Sequence, residues 1–311
     1  MPRESGVGKR VGIVGLGNMG GRIARRIAGG GFDVQGFDLD SARAAAWGIP
    51  PASSAAELVG VADVVLLSLP DSTVVEPVVR ELQPACRRGQ IVVDLSTSAP
   101  GSTVALHAEL AASGVAFVDA GISGGAAAAE QGKLTVMAGG EVDSVEAVRP
   151  ILETFSSRVV HMGGSGSGHT AKLLNNFLNG ISLAATAEVM VAGRRAGLDL
   201  RLLLEVLNHS SGVNFATLNR FPSIVEGDYL EGGLTGNLML KDLRLYRDLV
   251  DELGVRTLNA SGCIATFELA AELGYGDQIS NRVVDAIGDV SGGVRLYDPV
   301  ATTVNESEES K

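Results

Sequence analysis

The sequence of 311 residues is 45% hydrophobic but only 4% aromatic, and its formal net charge at pH 7 is −11. The length predicts about two domains, and the aliphatic composition is typical of parallel sheets covered by helices. The negative charge argues against nucleic acid and against an anionic membrane surface as partners. The two cysteines and four histidines show no metal-binding spacing. With no apolar run of about 18 residues, we expect a cytoplasmic protein without a metal and with reduced thiols.

The first predicted strand, residues 11–15, leads through a glycine-rich loop into a predicted helix, residues 19–28. In such a loop the first glycine permits a tight turn, the second lets the backbone approach a pyrophosphate, and the third lets the helix pack closely on the strand. The free N–H groups at the helix start would face the phosphates. We therefore predict a dinucleotide-binding loop made of Gly15, Leu16, Gly17, Asn18, Met19 and Gly20.

The next predicted strand, residues 33–38, ends on an acid, Asp38. A carboxylate at this distance from the loop would accept hydrogen bonds from the hydroxyls of the adenosine ribose. Leu39 and Asp40 follow it, rather than an arginine that could receive a 2′-phosphate, and the nearest cation beyond them is Arg43. The sequence therefore predicts NAD rather than NADP as the cofactor.

Short β-branched runs alternate with helical stretches as far as residue 162. The further predicted strands are residues 63–69, 90–95, 115–119, 134–138 and 158–161. The helices predicted between them include residues 74–82, 103–112 and 145–155. This alternation predicts an α/β fold with a doubly wound, mostly parallel Rossmann sheet, which we assign to an NAD-binding domain over residues 1–168.

The strand pattern stops after residue 168, and long helical runs follow, among them residues 169–196, 201–208 and 237–253. We expect an all-helical domain over residues 169–300 that serves substrate binding and oligomerisation, joined through a flexible glycine-dense linker at 163–168. Residues 301–311 are predicted to form a disordered tail. An apolar stretch at 181–193 is consistent with a homodimer or homotetramer, although packing within one subunit would explain it equally well.

Several predicted strands end on residues suited to a ligand site. Leu69-Pro70 and Ser96-Thr97-Ser98 follow two of the strands, and Asp119 ends a third. In open α/β sheets ligands bind beyond the carboxyl ends of the strands. We therefore expect Leu69, Pro70 and Thr97 to contact the cofactor.

Lys172 and Asn176 are four residues apart in the first of the long helical runs, and therefore share one helix face. Leucines and Phe177 surround them, and an amine close to an apolar surface is less readily charged, which makes it a better general acid/base at neutral pH. Asn176 could orient a substrate oxygen toward that amine. Taken alone, however, such a pair more often belongs to an ordinary solvated helix face.

Ser123, Gly124 and Gly125 follow the strand that ends at Asp119. Two glycines after a serine allow consecutive backbone N–H groups and the hydroxyl to converge on one point, which suits a carboxylate. A plain glycine turn explains the same residues about equally well.

Five motifs occur in the order found in the β-hydroxyacid dehydrogenase family, which the chain resembles from about residue 10 to residue 286. They are GLGNMGG (15–21), DLSTSAP (94–100), DAGISGGAAAAEQGKLTVMAGG (119–140), GSGHTAKLLNN (166–176) and LMLKDLRL (238–245). The run at 171–212 most resembles the 3-hydroxyisobutyrate dehydrogenase branch of this family.

The resemblance implies a role for several of the residues above. Lys172 would be the catalytic lysine and Asn176 its orienting partner, while Ser123, Gly124 and Gly125 would bind the substrate carboxylate. Lys241 would lie near the cofactor and the reacting end of the substrate.

Two departures from the family pattern concern the substrate's side group. Gly121 stands where family members commonly have proline, which makes the loop before Ser123 looser. Leu234 stands near a position that is usually a bulky aromatic, and Phe215 is expected to shape the substrate pocket instead.

The resemblance and the residues together imply NAD-dependent oxidation of a small 3-hydroxy carboxylate, similar to 3-hydroxyisobutyrate, to its semialdehyde, or the reverse reaction. A reductase acting on tartronate semialdehyde, glyoxylate or a related short semialdehyde would use the same groups. An alternative of another class is a non-catalytic protein that senses NAD, although such a protein would need neither Lys172 nor Asn176.

Overall fold

A seven-stranded sheet organises the first part of the chain in the computed structural model, which describes residues 8–297. The strands are β1 (Arg10–Val14), β2 (Asp33–Phe37), β3 (Val64–Leu67), β4 (Ile91–Asp94), β5 (Ala116–Ser123), β6 (Leu134–Gly139) and β7 (Ser156–Gly163). They are ordered β2-β1-β3-β4-β5-β6-β7. Neighbours are parallel except β5 and β6, which are antiparallel. The predicted mostly parallel, doubly wound sheet is confirmed.

The central strands β3 and β4 bury both of their faces, as their continuous aliphatic sequences require, whereas the outer strands β2 and β7 are partly exposed. Successive residues of β3 belong to different apolar clusters: Val64 and Leu66 pack in one, and Val65 and Leu67 in the other. Side chains alternate between the faces of a sheet, so the two clusters cover its two sides. Helices complete both clusters, for example through Ile27 in one and Leu106 in the other.

Seven helices belong to this part of the described chain. They are α1 (Asn18–Gly29), α2 (Ala42–Trp47), α3 (Ala55–Val61), α4 (Ser72–Leu82), α5 (Pro100–Ala111), α6 (Gly125–Gln131) and α7 (Val142–Leu152). The sequence predicted the longer four to within a few residues. It missed α2, α3 and α6, which have six or seven residues each and so present too few turns for a clear apolar periodicity.

Seven further helices follow before residue 297, where the described part of the chain ends. They are α8 (Ser167–Arg195), α9 (Leu200–Asn208), α10 (Phe215–Asn219), α11 (Phe221–Ile224), α12 (Gly236–Glu252), α13 (Ala260–Glu272) and α14 (Val283–Val290). A separate core forms among them, with Leu183, Met190 and Phe267 at its centre. The all-helical second part is confirmed. Most apolar residues of 181–193 lie in this core, so packing within the subunit accounts for them, and the predicted homodimer or homotetramer stays a prediction.

The chain divides into two units, Met1–Leu173 and Leu174–Lys311, and the division falls within α8. The domain boundary predicted at residue 168 lies in the first turns of the same helix. The predicted tail at 301–311 lies outside the described residues. Within residues 8–297, no helix combines the length and the apolar character needed to cross a bilayer.

The start of α8 packs directly on the first unit's sheet, where the sequence suggested a flexible linker. A Cβ on Gly168 would lie 2.4 Å from the carbonyl oxygen of Met137 and 2.6 Å from that of Asp119. A Cβ on Gly139 would lie 2.7 Å from the backbone nitrogen of Gly168. These glycines therefore bring the helix close to β5 and β6, and close packing rather than mobility explains their presence.

We expect Gly168→Ala to lower the free energy of unfolding by about 1–3 kcal/mol, because the obstructing atoms belong to the backbone and cannot rotate away. Gly164→Ala is the matched control, since a Cβ there would meet nothing within 4 Å. Chemical denaturation of both variants measures the difference. Equal stability of the two variants would contradict the close packing of α8 on the sheet.

Candidate active site and cofactor site

The loop between β1 and α1 passes close to neighbouring backbone at two of its three glycines. Gly15 has φ +93°, and a Cβ there would lie 2.3 Å from the carbonyl oxygen of Ser68. A Cβ on Gly20 would lie 2.0 Å from the carbonyl oxygen of Gly15. A Cβ on Gly17, by contrast, would have one neighbour within 4 Å, the Arg43 guanidinium at 3.3 Å. The three glycines therefore fit the three predicted tasks. No side chain caps the start of α1, which suits the predicted binding of an anion by its free N–H groups.

The carboxylate of Asp38 lies beside this loop and binds its backbone. One of its oxygens accepts the backbone N–H of Leu16 at 2.7 Å, and the other accepts that of Asp40 at 2.9 Å. Arg43 Nη1 lies 3.7 Å from Asp38 Oδ2. The sequence placed Arg43 beyond the acid, whereas the fold brings its guanidinium beside both Asp38 and Gly17.

The loops after β3 and β4 meet through Ser96, whose Oγ accepts the backbone N–H of Leu69 at 3.0 Å. The side chain of Leu69 also lies beside Gly15, because a Cβ on that glycine would be 3.1 Å from Leu69 Cδ2. Pro70 is exposed and Thr97 is half-buried. Leu69 therefore lies beside the glycine loop. Thr97 is the residue after Ser96, which links the ends of β3 and β4.

The fully buried carboxylate of Asp119 holds the N-terminal turn of α8. Its Oδ1 accepts the backbone N–H of Gly166 and its Oδ2 accepts that of His169, each at 2.9 Å. The first N–H groups of a helix have no partner within the helix, and a carboxylate also interacts favourably with the positive end of the helix dipole. Sequence reasoning noted Asp119 only as a strand end and missed this role.

A second buried acid, Asp94, lies beside Asp119 on the neighbouring strand. It accepts the backbone N–H of Ser96 at 2.9 Å and the hydroxyl of Ser98 at 2.8 Å. His169, fully buried, places Nε2 3.8 Å from Asp94 Oδ2 and Nδ1 2.7 Å from Thr103 Oγ1. These contacts connect the loop after β4 with the first turn of α8.

Lys172 lies on the second turn of α8, directly against β5. A Cβ on Gly121 would be 2.6 Å from Lys172 Cβ, so glycine at this position gives the lysine its place on the strand. The lysine itself is half-buried. Of the apolar neighbours expected from sequence, Leu173 is buried in the structure, whereas Leu174 and Leu178 are exposed.

Ser123 ends β5, and the two glycines after it both have positive φ, +130° for Gly124 and +73° for Gly125. A Cβ on Gly124 would also lie 2.8 Å from Ala128 Cβ, whereas one on Gly125 would meet nothing within 4 Å. Gly125 thus borders open space, and the backbone after Ser123 turns as only glycine does readily.

In the second unit, Asn176 is buried and its Nδ2 donates to Asp242 Oδ2 at 2.5 Å. Lys241 Nζ lies 2.9 Å from the other oxygen of Asp242. The buried acid therefore orients the amide and contacts the lysine that precedes it in sequence. The LMLKDLRL motif contained Asp242, but sequence reasoning singled out only Lys241.

Phe215, expected to shape the substrate pocket, begins α10 and is 58% exposed. Its ring centroid lies 5.7 Å from the guanidinium carbon of Arg220. Leu234, the residue that stands near the family's usual aromatic, packs against the helical core. The aromatic expected at the substrate pocket therefore has a cationic neighbour that sequence reasoning did not consider.

Both parts of the chain match known families. Residues 10–164 match the NAD binding domain of 6-phosphogluconate dehydrogenase, and residues 166–287 match the NAD-binding family of NADP-dependent 3-hydroxyisobutyrate dehydrogenase. The chain is 33% identical over 304 residues to the NAD-dependent L-serine dehydrogenase of Pseudomonas aeruginosa, covering 94% of this chain and 98% of that protein. It belongs to the β-hydroxyacid dehydrogenase family. Other members include the mitochondrial 3-hydroxyisobutyrate dehydrogenase of Mus musculus, which is 34% identical over 85% of this chain and 83% of its own length.

A solved structure agrees with this membership. The 3-hydroxyisobutyrate dehydrogenase of Mycobacterium tuberculosis with L-serine superimposes with a TM-score of 0.82 at 29% identity, covering 89% of this chain and 98% of the other. The protein is therefore an NAD-dependent hydroxyacid dehydrogenase of the β-hydroxyacid dehydrogenase type. The non-catalytic NAD-sensing alternative finds no support among these relatives.

The geometry at Asp38 predicts how the enzyme distinguishes its dinucleotides. The carboxylate should repel a 2′-phosphate, so NAD should be used with higher kcat/KM than NADP. Asp38→Ser combined with Leu39→Arg should shift that ratio toward NADP. Leu39→Arg alone is the control, because Leu39 is 95% exposed and its replacement leaves the acid in place. A wild-type enzyme that used NADP as efficiently as NAD would contradict the assignment.

Proposed function

We propose that the enzyme oxidises the hydroxyl of a small 3-hydroxy carboxylate, similar to 3-hydroxyisobutyrate, to the semialdehyde, or catalyses the reverse reaction, with Lys172 as the general acid/base. The observation that carries this proposal is the fixed position of Lys172. Its helix start is held by Asp119, and its Cβ lies against Gly121. A lysine whose backbone is held in this way would present its amine to a bound hydroxyl from a fixed point, which suits proton transfer.

Each group has a task in this reaction. Ser123, Gly124 and Gly125 bind the substrate carboxylate, and Lys172 takes the hydroxyl proton during oxidation or returns it during reduction. Asn176, four residues further along the same helix, holds the reacting oxygen. Its amide is oriented by Asp242. A cationic donor stabilises the negative charge that develops on that oxygen.

NAD supplies the chemistry of hydride acceptance when it is bound. Its pyrophosphate would be held by the loop from Gly15 to Gly20, and its adenosine ribose by Asp38. Leu69, Pro70, Thr97 and Lys241 are proposed as further cofactor contacts. Among these, Leu69 has the clearest structural support, since it lies beside Gly15.

Lys172→Ala should lower kcat by at least about 10²–10⁴-fold, because the proton-transfer group and the donor to the developing alkoxide are both removed. NADH binding, followed by nucleotide fluorescence, should stay nearly unchanged. Lys133→Ala is the matched control, since this lysine is exposed beyond α6. A Lys172→Ala enzyme that kept most of its turnover would exclude this lysine as the acid/base.

Removing the carboxylate from the substrate should reduce kcat/KM far more than altering its side group. The charge-assisted hydrogen bonds to the carboxylate are lost when that group is absent, whereas a lost methyl group costs only about 1–3 kcal/mol. We therefore expect 3-hydroxyisobutyrate and 3-hydroxypropionate to differ modestly, and isobutanol and 1-propanol to be almost inert. Comparable turnover of alcohols and hydroxy acids would refute the carboxylate site.

The same site can be tested by changing the protein. Ser123→Ala should raise KM for the hydroxy acids, because it removes the hydroxyl proposed to bind their carboxylate. Gly124→Val would also block the site, but φ +130° and the nearby Ala128 make it a poor probe, because the backbone itself would be strained. A substrate panel that includes serine, glycerate, threonate and tartronate semialdehyde separates the 3-hydroxyisobutyrate type from the short-semialdehyde alternative by catalytic efficiency.

A further inference from the structure

Trp47, the chain's only tryptophan, lies against the glycine loop between β1 and α1. It ends α2 and is half-buried. Its indole Nε1–H donates to the carbonyl oxygen of Leu16 at 3.0 Å. Leu16 is fully buried, and its own N–H donates to Asp38 at 2.7 Å. Both backbone polar groups of this loop residue are therefore held by side chains from elsewhere in the first unit.

Glycine at position 21 gives the indole its place. A Cβ on Gly21 would lie 2.0 Å from Trp47 Nε1 and 2.1 Å from Trp47 Cε2. Gly21 lies in the first turn of α1, directly after the glycine loop, so the ring of Trp47 covers the start of this helix. Any side chain at position 21 would displace the ring, and with it the hydrogen bond to Leu16. Glycine is therefore required here by the indole beside it.

Arg22 holds the residue on the other side of Gly17. Its guanidinium carbon lies 5.1 Å from the centroid of the Trp47 ring, within the range of a cation–π contact. Its Nη1 donates to the carbonyl oxygen of Asn18 at 2.7 Å and also to the side-chain oxygen of Asn18. Its Nε donates to Glu130 of α6 at 2.9 Å. Both neighbours of the glycine that a pyrophosphate should approach are thus held by one stacked pair of side chains.

We propose that Trp47 is a positioning residue for the cofactor, which keeps the glycine loop in its pyrophosphate-binding conformation before the dinucleotide binds. Backbone N–H groups bind an anion well when they converge on one point. A loop that must first be ordered loses part of its binding free energy to that ordering, and the apparent affinity falls with the population of the competent conformation. This role concerns NAD alone and does not depend on which hydroxy acid the enzyme oxidises.

Trp47→Phe keeps an aromatic ring but removes the indole N–H. The dissociation constant of NADH, followed by nucleotide fluorescence, should rise about three- to tenfold, the ratio that corresponds to one neutral hydrogen bond. In the kinetics, the change should appear in KM for NAD rather than in kcat. Tyr275→Phe is the matched control, since it removes the bond that a half-buried aromatic donor of the second unit makes to Asp289. Unchanged NADH affinity in Trp47→Phe would overturn the role of the indole.

A comparison of two smaller ligands shows whether the loss concerns the pyrophosphate. ADP-ribose contains this group, whereas adenosine does not. Trp47→Phe should weaken ADP-ribose binding by about the same factor as NADH binding and leave adenosine binding unchanged, as measured by calorimetry. Equal weakening of both ligands, together with a lower melting temperature, would mean that Trp47 only stabilises the fold, and the proposal would be wrong.

The contact with Gly21 allows a test through a second residue. Gly21→Ala should displace the indole and weaken NADH binding, as Trp47→Ala does. In the Trp47→Ala background the same substitution should have no further effect on NADH affinity, because the obstructing ring is absent. Alanine also suits a helix better than glycine, so the double variant should be at least as stable as Trp47→Ala alone. Losses of affinity that add in the double variant would contradict positioning through the indole.

Discussion

The two hydrogen bonds between the Asp119 carboxylate and the first turn of α8 are the constraint on which the proposed site depends. A buried helix start leaves N–H groups that must find partners, and the Asp119 carboxylate supplies two acceptors from the middle of β5. The glycines at 121, 139 and 168 allow the helix to come close enough for these bonds. Lys172 then lies on a turn that the sheet itself positions, so its location follows from strand geometry rather than from a mobile loop.

The sheet and the long helices could be predicted from the sequence because their signals are local. The central strands β3 and β4 carry continuous aliphatic runs, and the long helices have several turns of apolar periodicity. The glycine loop and Asp38 could also be recognised, since their spacing is short and each glycine has a distinct mechanical reason. The short helices α2, α3 and α6 were missed because they contain too few turns to show a period.

The contacts that organise the proposed site were not predictable in the same way, because they join residues far apart in sequence. Asp119 binds N–H groups 47 and 50 positions later, and Asn176 binds an acid 66 positions later. Nothing local distinguishes these acids from others that end a strand or follow a lysine. Arg43 illustrates the same limit over a shorter distance, since only the fold shows that its guanidinium lies beside Gly17.

The course of α8 also bears on how chains of this family can be recombined. The division between the two units falls at residues 173 and 174, inside the helix, whereas the bonds that hold the helix start involve residues 166 and 169. A chimera joined at the division would combine a capped turn from one parent with the helix body of another, and Lys172 and Asn176 would come from different ancestors. A junction at residues 164–165, ahead of the cap, would keep both on one inherited helix, but would separate that helix from the Asp119 that holds it. Exchange of the second unit between relatives therefore requires parents that share both the acid on β5 and the glycines on which the helix rests.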